Sequence, residues 1–85
     1  MPEDGITEGA LTRTELEELA ALFDRFEFAF NPRSIDAKEA ESEFESRLRT
    51  LFEQRVATHF SGVTFALFHC RVKSLCRAFL KKNPP

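Results

Sequence analysis

The segment LFDRFEFAFNP, residues 22–32, decides the fold, because its four phenylalanines fit two different secondary structures. In a helix, a turn of about 100° per residue places Phe26 and Phe30 within about 60° of Phe23. The same projection leaves Phe28 on the polar side. We favour a helix, because a capped run rich in Ala, Glu and Leu leads directly into the segment.

The competing interpretation is a short strand at residues 26–30. Strict alternation would group the three phenylalanines of that stretch on one face. Such a strand would need a partner, and the loosely alternating VTFALFHCRV, residues 63–72, is the candidate. The two interpretations lead to different folds, all-helical or mixed.

Capping patterns predict where three helices begin. In LTRTEL, residues 11–16, Thr12 and Glu15 have the spacing of a capping box, in which each side chain accepts a backbone N–H of the other residue. Asp36 and Ser61 are the predicted N-caps of the second and third helices.

Helix-breaking residues predict where the helices end. Asn31-Pro32 ends the first helix, because proline disfavours helical geometry in the residue before it. Gly62 closes the second, and Asn83-Pro84-Pro85 closes the third. The predicted organisation is a mobile acidic tail at 1–10 and a single domain at 11–85, with helices over 13–30, 37–59 and 62–82.

The two later helices each carry an apolar face at helical spacing. In the second helix it consists of Phe44, Leu48, Leu51, Phe52 and Val56. In the third it consists of Phe65, Phe68, Val72, Leu75, Cys76 and Phe79. These faces predict an all-α, up-down-up three-helix bundle.

Composition indicates a small globular domain. A chain of 85 residues has an expected stability of about 4–13 kcal/mol. Its ten Phe, without Tyr or Trp, favour packing over a polar binding pocket.

Charge is strongly divided along the chain. Residues 1–45 hold thirteen acids and four bases, a net charge of −9, whereas residues 46–85 hold one acid and eight bases, a net charge of +7. In an up-down-up bundle the acidic start of each of the first two helices lies beside the basic end of the following one. We therefore interpret the division mainly as pairing between helices.

The basic half also permits a second function, nucleic-acid binding. The residues that would bind phosphate are Arg71, Lys73, Arg77, Lys81 and Lys82. The apolar residues between them are predicted to face the core, which makes this the alternative hypothesis.

The sequence offers little catalytic or metal-binding chemistry. The soft ligand candidates are His59, His69, Cys70 and Cys76, and they lack Cys-x-x-Cys or His-x-x-x-His spacing. A thiol nucleophile at Cys70 is a minor hypothesis, because adjacent His69 points about 100° away on a helix. We predict a protein that is not an enzyme and that uses no cofactor or metal.

The N-terminal sequence MPEDG is acidic where a secretory signal needs a basic start, and no apolar run is long enough to span a membrane. Two Cys do not form a disulfide framework. We expect a reducing, cytoplasmic setting without a membrane partner.

Apolar residues exceed one stripe per helix, which predicts an exposed interface. The candidates are Leu22, Phe28, Leu67 and Leu80. The predicted function is a non-catalytic protein-interaction or regulatory module that associates as a homodimer or with another protein. A subunit that folds only with another chain is a further possibility.

Overall fold

The computed structural model describes residues 11–57 and 62–83. It contains the α-helices α1 (Arg13–Glu27), α2 (Ile35–Leu51) and α3 (Phe65–Lys82), and α2 continues into a π-helical turn at Phe52–Val56. Neither described segment contains a strand, so the all-α prediction is confirmed and the extended alternative is wrong. The predicted tail at 1–10 lies outside the described residues.

Helix α1 begins where the capping box predicted. The Thr12 hydroxyl accepts the Glu15 backbone N–H at 3.1 Å, and the Glu15 carboxylate accepts the Thr12 backbone N–H at 3.0 Å. Two N–H groups that the helix itself leaves without a partner are thereby satisfied.

Helices α2 and α3 begin at other residues than predicted. Ser34, not Asp36, caps α2 by accepting the Ala37 N–H at 3.2 Å. Thr64 caps α3 by accepting the Leu67 N–H at 3.1 Å, three residues after the predicted cap, Ser61, which lies outside the described residues. Gly62, with φ of +87°, turns the chain before α3 in a conformation that favours glycine.

Helix α1 ends at Glu27 rather than at Phe30. Phe28 closes it by donating its N–H to the Asp24 carbonyl at 3.3 Å. The next residues form a turn in which the Asn31 side chain accepts the Arg33 N–H at 3.1 Å. Because the helical turn stops early, Phe30 leaves the core face on which the projection placed it and is fully exposed.

The core is built around Phe44 of α2, which is completely buried. Its ring centroid lies 5.3 Å from that of Phe26, 5.8 Å from that of Phe23 and 6.2 Å from that of His69. The contacts with Phe26 and His69 are edge-to-face, an arrangement that stabilises beyond area burial alone. The remaining buried hydrophobic residues in contact with this cluster are Leu19, Ala20, Leu22, Leu48, Leu51, Val56, Phe68, Val72 and Cys76, with Ala40 beside them.

Helices α1 and α2 run antiparallel, and ion pairs join both of their ends. Where the chain turns from α1 to α2, Nη2 of Arg25 lies 2.5 Å from Oδ1 of Asp36. At the opposite end Arg55 contacts Glu15 at 2.5 Å, as the predicted charge pairing between these two helices requires.

Helix α3 packs on both other helices, but at different points along its length. Its first half contacts the π-helical turn through the Phe65 and Phe52 rings, 5.6 Å apart, and contacts α2 through His69 and Phe44. Its second half contacts α1. Nη2 of Arg77 lies 3.3 Å from Oε2 of Glu27, and Cζ of Arg13 lies 5.7 Å from the centroid of the Phe79 ring. The two contacts lie 14 residues apart on α1 but two residues apart on α3, so side chains in the C-terminal half of α3 lie within reach of residues near both ends of α1.

One predicted set of ion pairs differs in the structure. We expected the basic end of α3 beside the acidic start of α2. Instead Arg77 of α3 pairs with Glu27 of α1, and Asp36 of α2 pairs with Arg25 of α1.

Glu15 links the capping box to the Arg55 ion pair, which gives a prediction on acid stability. The Arg55 guanidinium, together with the Thr12 N–H, lowers the pKa of Glu15 against the opposing effect of burial. A carboxylate with a lowered pKa in the folded state stabilises fully above its unfolded value, near 4.5, and loses this effect as the pH falls through the folded pKa. We expect Glu15→Gln to lower the free energy of unfolding by about 1 kcal/mol at pH 7 and by less at pH 3.

Urea denaturation of both proteins at the two pH values measures this difference. Glu17→Gln is the matched control in the same turn, because Glu17 makes only an exposed pair with Arg13, worth up to about 0.5 kcal/mol. An effect of Glu15→Gln that stays constant down to pH 3 contradicts the prediction.

Candidate protein-interaction site

Large hydrophobic side chains are exposed mainly at one place on the described chain. Phe28 is 60% exposed, Ile35 75% and Phe30 fully, and all three lie within residues 28–35. Leu67, at 40%, is the fourth exposed large hydrophobic residue of the described segments. We call Phe28, Phe30 and Ile35 the 28–35 surface. Exposed large hydrophobic side chains are typical of association sites where they form a contiguous patch.

The turn between α1 and α2 holds the 28–35 surface in place. The Ser34 N–H donates to the Asn31 carbonyl at 3.0 Å, and the Ser34 hydroxyl then caps α2. At the other side of the turn the Phe28 ring packs edge-on against the buried Phe23 ring at 6.1 Å. The backbone that carries these apolar side chains is therefore fixed at both ends.

An open groove of about 570 Å³ lies beside Phe28, between the C-terminal parts of α1 and α3. We call it the Phe28 groove. Apolar lining from Phe28, Ala78 and Leu80 is flanked by charged side chains. The residues that line it are Asp24, Phe28, Arg77, Ala78, Leu80 and Lys81. An apolar centre with a polar rim is the usual anatomy of a protein interface.

The structure brings together two of the four predicted interface residues. Phe28 and Leu80, 52 residues apart in the sequence, line the same groove. Leu67 is exposed in the first turn of α3, away from the groove. Leu22 was predicted to be exposed, and this is wrong: it is only 7% exposed and belongs to the core.

Two residues of the surface were not predicted from the sequence. Phe30 was assigned to the core face of a longer α1, and Ile35 was not considered as an interface residue. The Asn31-Pro32 pair was the available signal, because it predicts a non-helical backbone close to both residues.

The five basic residues proposed for phosphate binding have different surroundings. Arg77 pairs with Glu27, and its guanidinium lies 5.4 Å from the Phe23 ring centroid. Arg71 and Lys73 are half-buried, whereas Lys81 and Lys82 are exposed and Lys81 borders the Phe28 groove. Nucleic-acid binding by Arg71, Lys73, Arg77, Lys81 and Lys82 stays a prediction.

The thiols and the histidine lie apart from the 28–35 surface. Cys70 is exposed, whereas burial raises the pKa of Cys76 to about 12. His69 lies between the Phe44 and Phe65 rings, with Nε2 3.4 Å from Glu45. In the described residues no three His, Cys, Asp or Glu side chains are grouped so as to hold a metal ion, and His59 lies outside them.

No helix within the described segments has both the length and the apolar character needed to cross a membrane. The geometry defines a small all-α protein in which three helices pack against one another. Comparisons of the chain with protein-family models, curated proteins and solved structures found no match.

Proposed function

We propose that this chain is a small non-catalytic helical protein that acts by protein–protein association, and that a second copy of itself is its simplest partner. The observation that carries the proposal is the concentration of three exposed large hydrophobic side chains in residues 28–35, beside an apolar groove. Leaving these side chains in water is unfavourable, and association removes them from it.

The charges around the Phe28 groove support a second copy as the partner. The groove has an acid, Asp24, on its α1 side and bases, Arg77 and Lys81, on its α3 side. A surface that carries both signs is able to complement itself when two copies meet about a two-fold axis.

Self-association is measured by sedimentation over protein concentrations from about 1 μM to 1 mM. We expect a dimer to form within this range and Phe28→Asp to weaken it about 30-fold or more, the effect of losing a central aromatic contact. Leu67→Asp is the matched control, because it places the same charge at an exposed apolar position away from the groove.

Far-UV circular dichroism verifies that both variants keep the helical fold. A wild-type protein that remains monomeric over the whole range contradicts self-association. Equal weakening by the two variants would place the interface elsewhere than at the Phe28 groove.

A further inference from the structure

We propose that the two copies bind reciprocally, with Phe30 of each copy inserted into the Phe28 groove of the other. This inference rests on the self-association proposed above and specifies its contacts. Phe30 is the inserted residue, which we call the knob, and the Phe28 groove is the receptor.

Phe30 has the properties of a knob. Its side chain is fully exposed, and the hydrogen-bonded turn at residues 31–34 fixes the backbone beside it. A rigid aromatic side chain on an ordered turn loses little conformational entropy on binding. In this chain the knob lies outside its own groove, so it is available to a second molecule.

The Phe28 groove has the properties of a receptor for an aromatic ring. An inserted ring would lie against the Phe28 ring and the Leu80 side chain, where aromatic edge contacts add to apolar burial. Lys81 at the rim is able to contact the face of the ring as a cation. Arg77 at the groove contacts Glu27 and the Phe23 ring of its own chain.

The short distance between knob and groove favours a second copy over an unrelated partner. Phe30 is two residues from Phe28, so its backbone lies within about 7 Å of that groove residue. A two-fold axis beside them places each knob over the other copy's groove, and the contact closes as a dimer rather than extending as a filament.

Two variants separate the knob from the receptor. Phe30→Ala removes the knob without adding a charge that would meet the carboxylate introduced at position 78 of the other variant, and it leaves the groove intact. Ala78→Glu fills the groove and leaves the knob intact. The introduced carboxylate is three residues before Lys81, a spacing at which opposite charges stabilise a helix. Ala78 and Phe30 are exposed, so neither change touches the core.

Sedimentation of each variant alone and of their equimolar mixture tests the reciprocal contact. We expect each variant to self-associate about 30-fold more weakly than wild type or worse. The mixture is expected to dimerise more tightly than either variant, because one knob-and-groove contact is restored in the heterodimer and none exists in the homodimers.

The outcomes separate this inference from the proposed function. A wild-type dimer combined with a mixture no tighter than its components overturns the reciprocal contact and leaves self-association standing. A wild-type dimer that neither variant weakens does the same. A wild-type monomer at every concentration overturns both.

Discussion

Replacing Phe44 by alanine is expected to lower the free energy of unfolding by about 3–5 kcal/mol. The ring is completely buried and contacts Phe23 and Phe26 of α1 as well as His69 of α3. Its removal therefore leaves a cavity where all three helices meet. Because the expected total stability is only about 4–13 kcal/mol, the variant is close to unfolded in the lower part of that range.

Urea denaturation followed by far-UV circular dichroism measures this loss. Phe28→Ala is the matched control, since the same side chain is removed from a position that is 60% exposed, and surface changes are usually within about 0.5 kcal/mol. Both variants are compared at low protein concentration, because association stabilises the folded state by mass action. Similar losses for the two variants contradict a core centred on Phe44.

Local patterns predicted the parts of the fold that local forces determine. The capping box at Thr12 and the apolar face of α2 depend on residues three or four positions apart, and both are confirmed. The end of α1 and the start of α2, in contrast, differ from the prediction. The Phe28 N–H still donates to the Asp24 carbonyl, but the chain then turns at Asn31 in place of a further helical turn, and helical spacing alone does not show where that change occurs.

The candidate site depends on how the helices cross, which no periodicity contains. Phe28 and Leu80 line one groove because the C-terminal parts of α1 and α3 lie beside each other. Leu22 lies at the edge of the apolar stripe of α1, where exposure is decided by how far the neighbouring helices extend around it. Its burial therefore could not be predicted from its angle on the helix.

The two cysteines are expected to react with a thiol reagent at rates that differ by at least about 1,000-fold. Cys70 is exposed, whereas Cys76 is completely buried where α3 packs on the core. Burial raises the pKa of Cys76 to about 12, so almost none of it is the reactive thiolate near pH 8. Reaction at Cys76 must wait for an opening of the fold, and an opening free energy of about 4 kcal/mol already reduces the rate about 1,000-fold.

A chromogenic disulfide reagent counts these thiols directly. We expect one rapid equivalent per native chain and two in denaturant. Cys70→Ser removes the rapid phase, and Cys76→Ser preserves it, which assigns each phase to its residue. The slow phase also reports core integrity, because Phe44→Ala opens the same cluster and is expected to accelerate it. Two equivalents that react at one rate in the native protein would show that α3 does not cover Cys76 as the packing of the three helices requires.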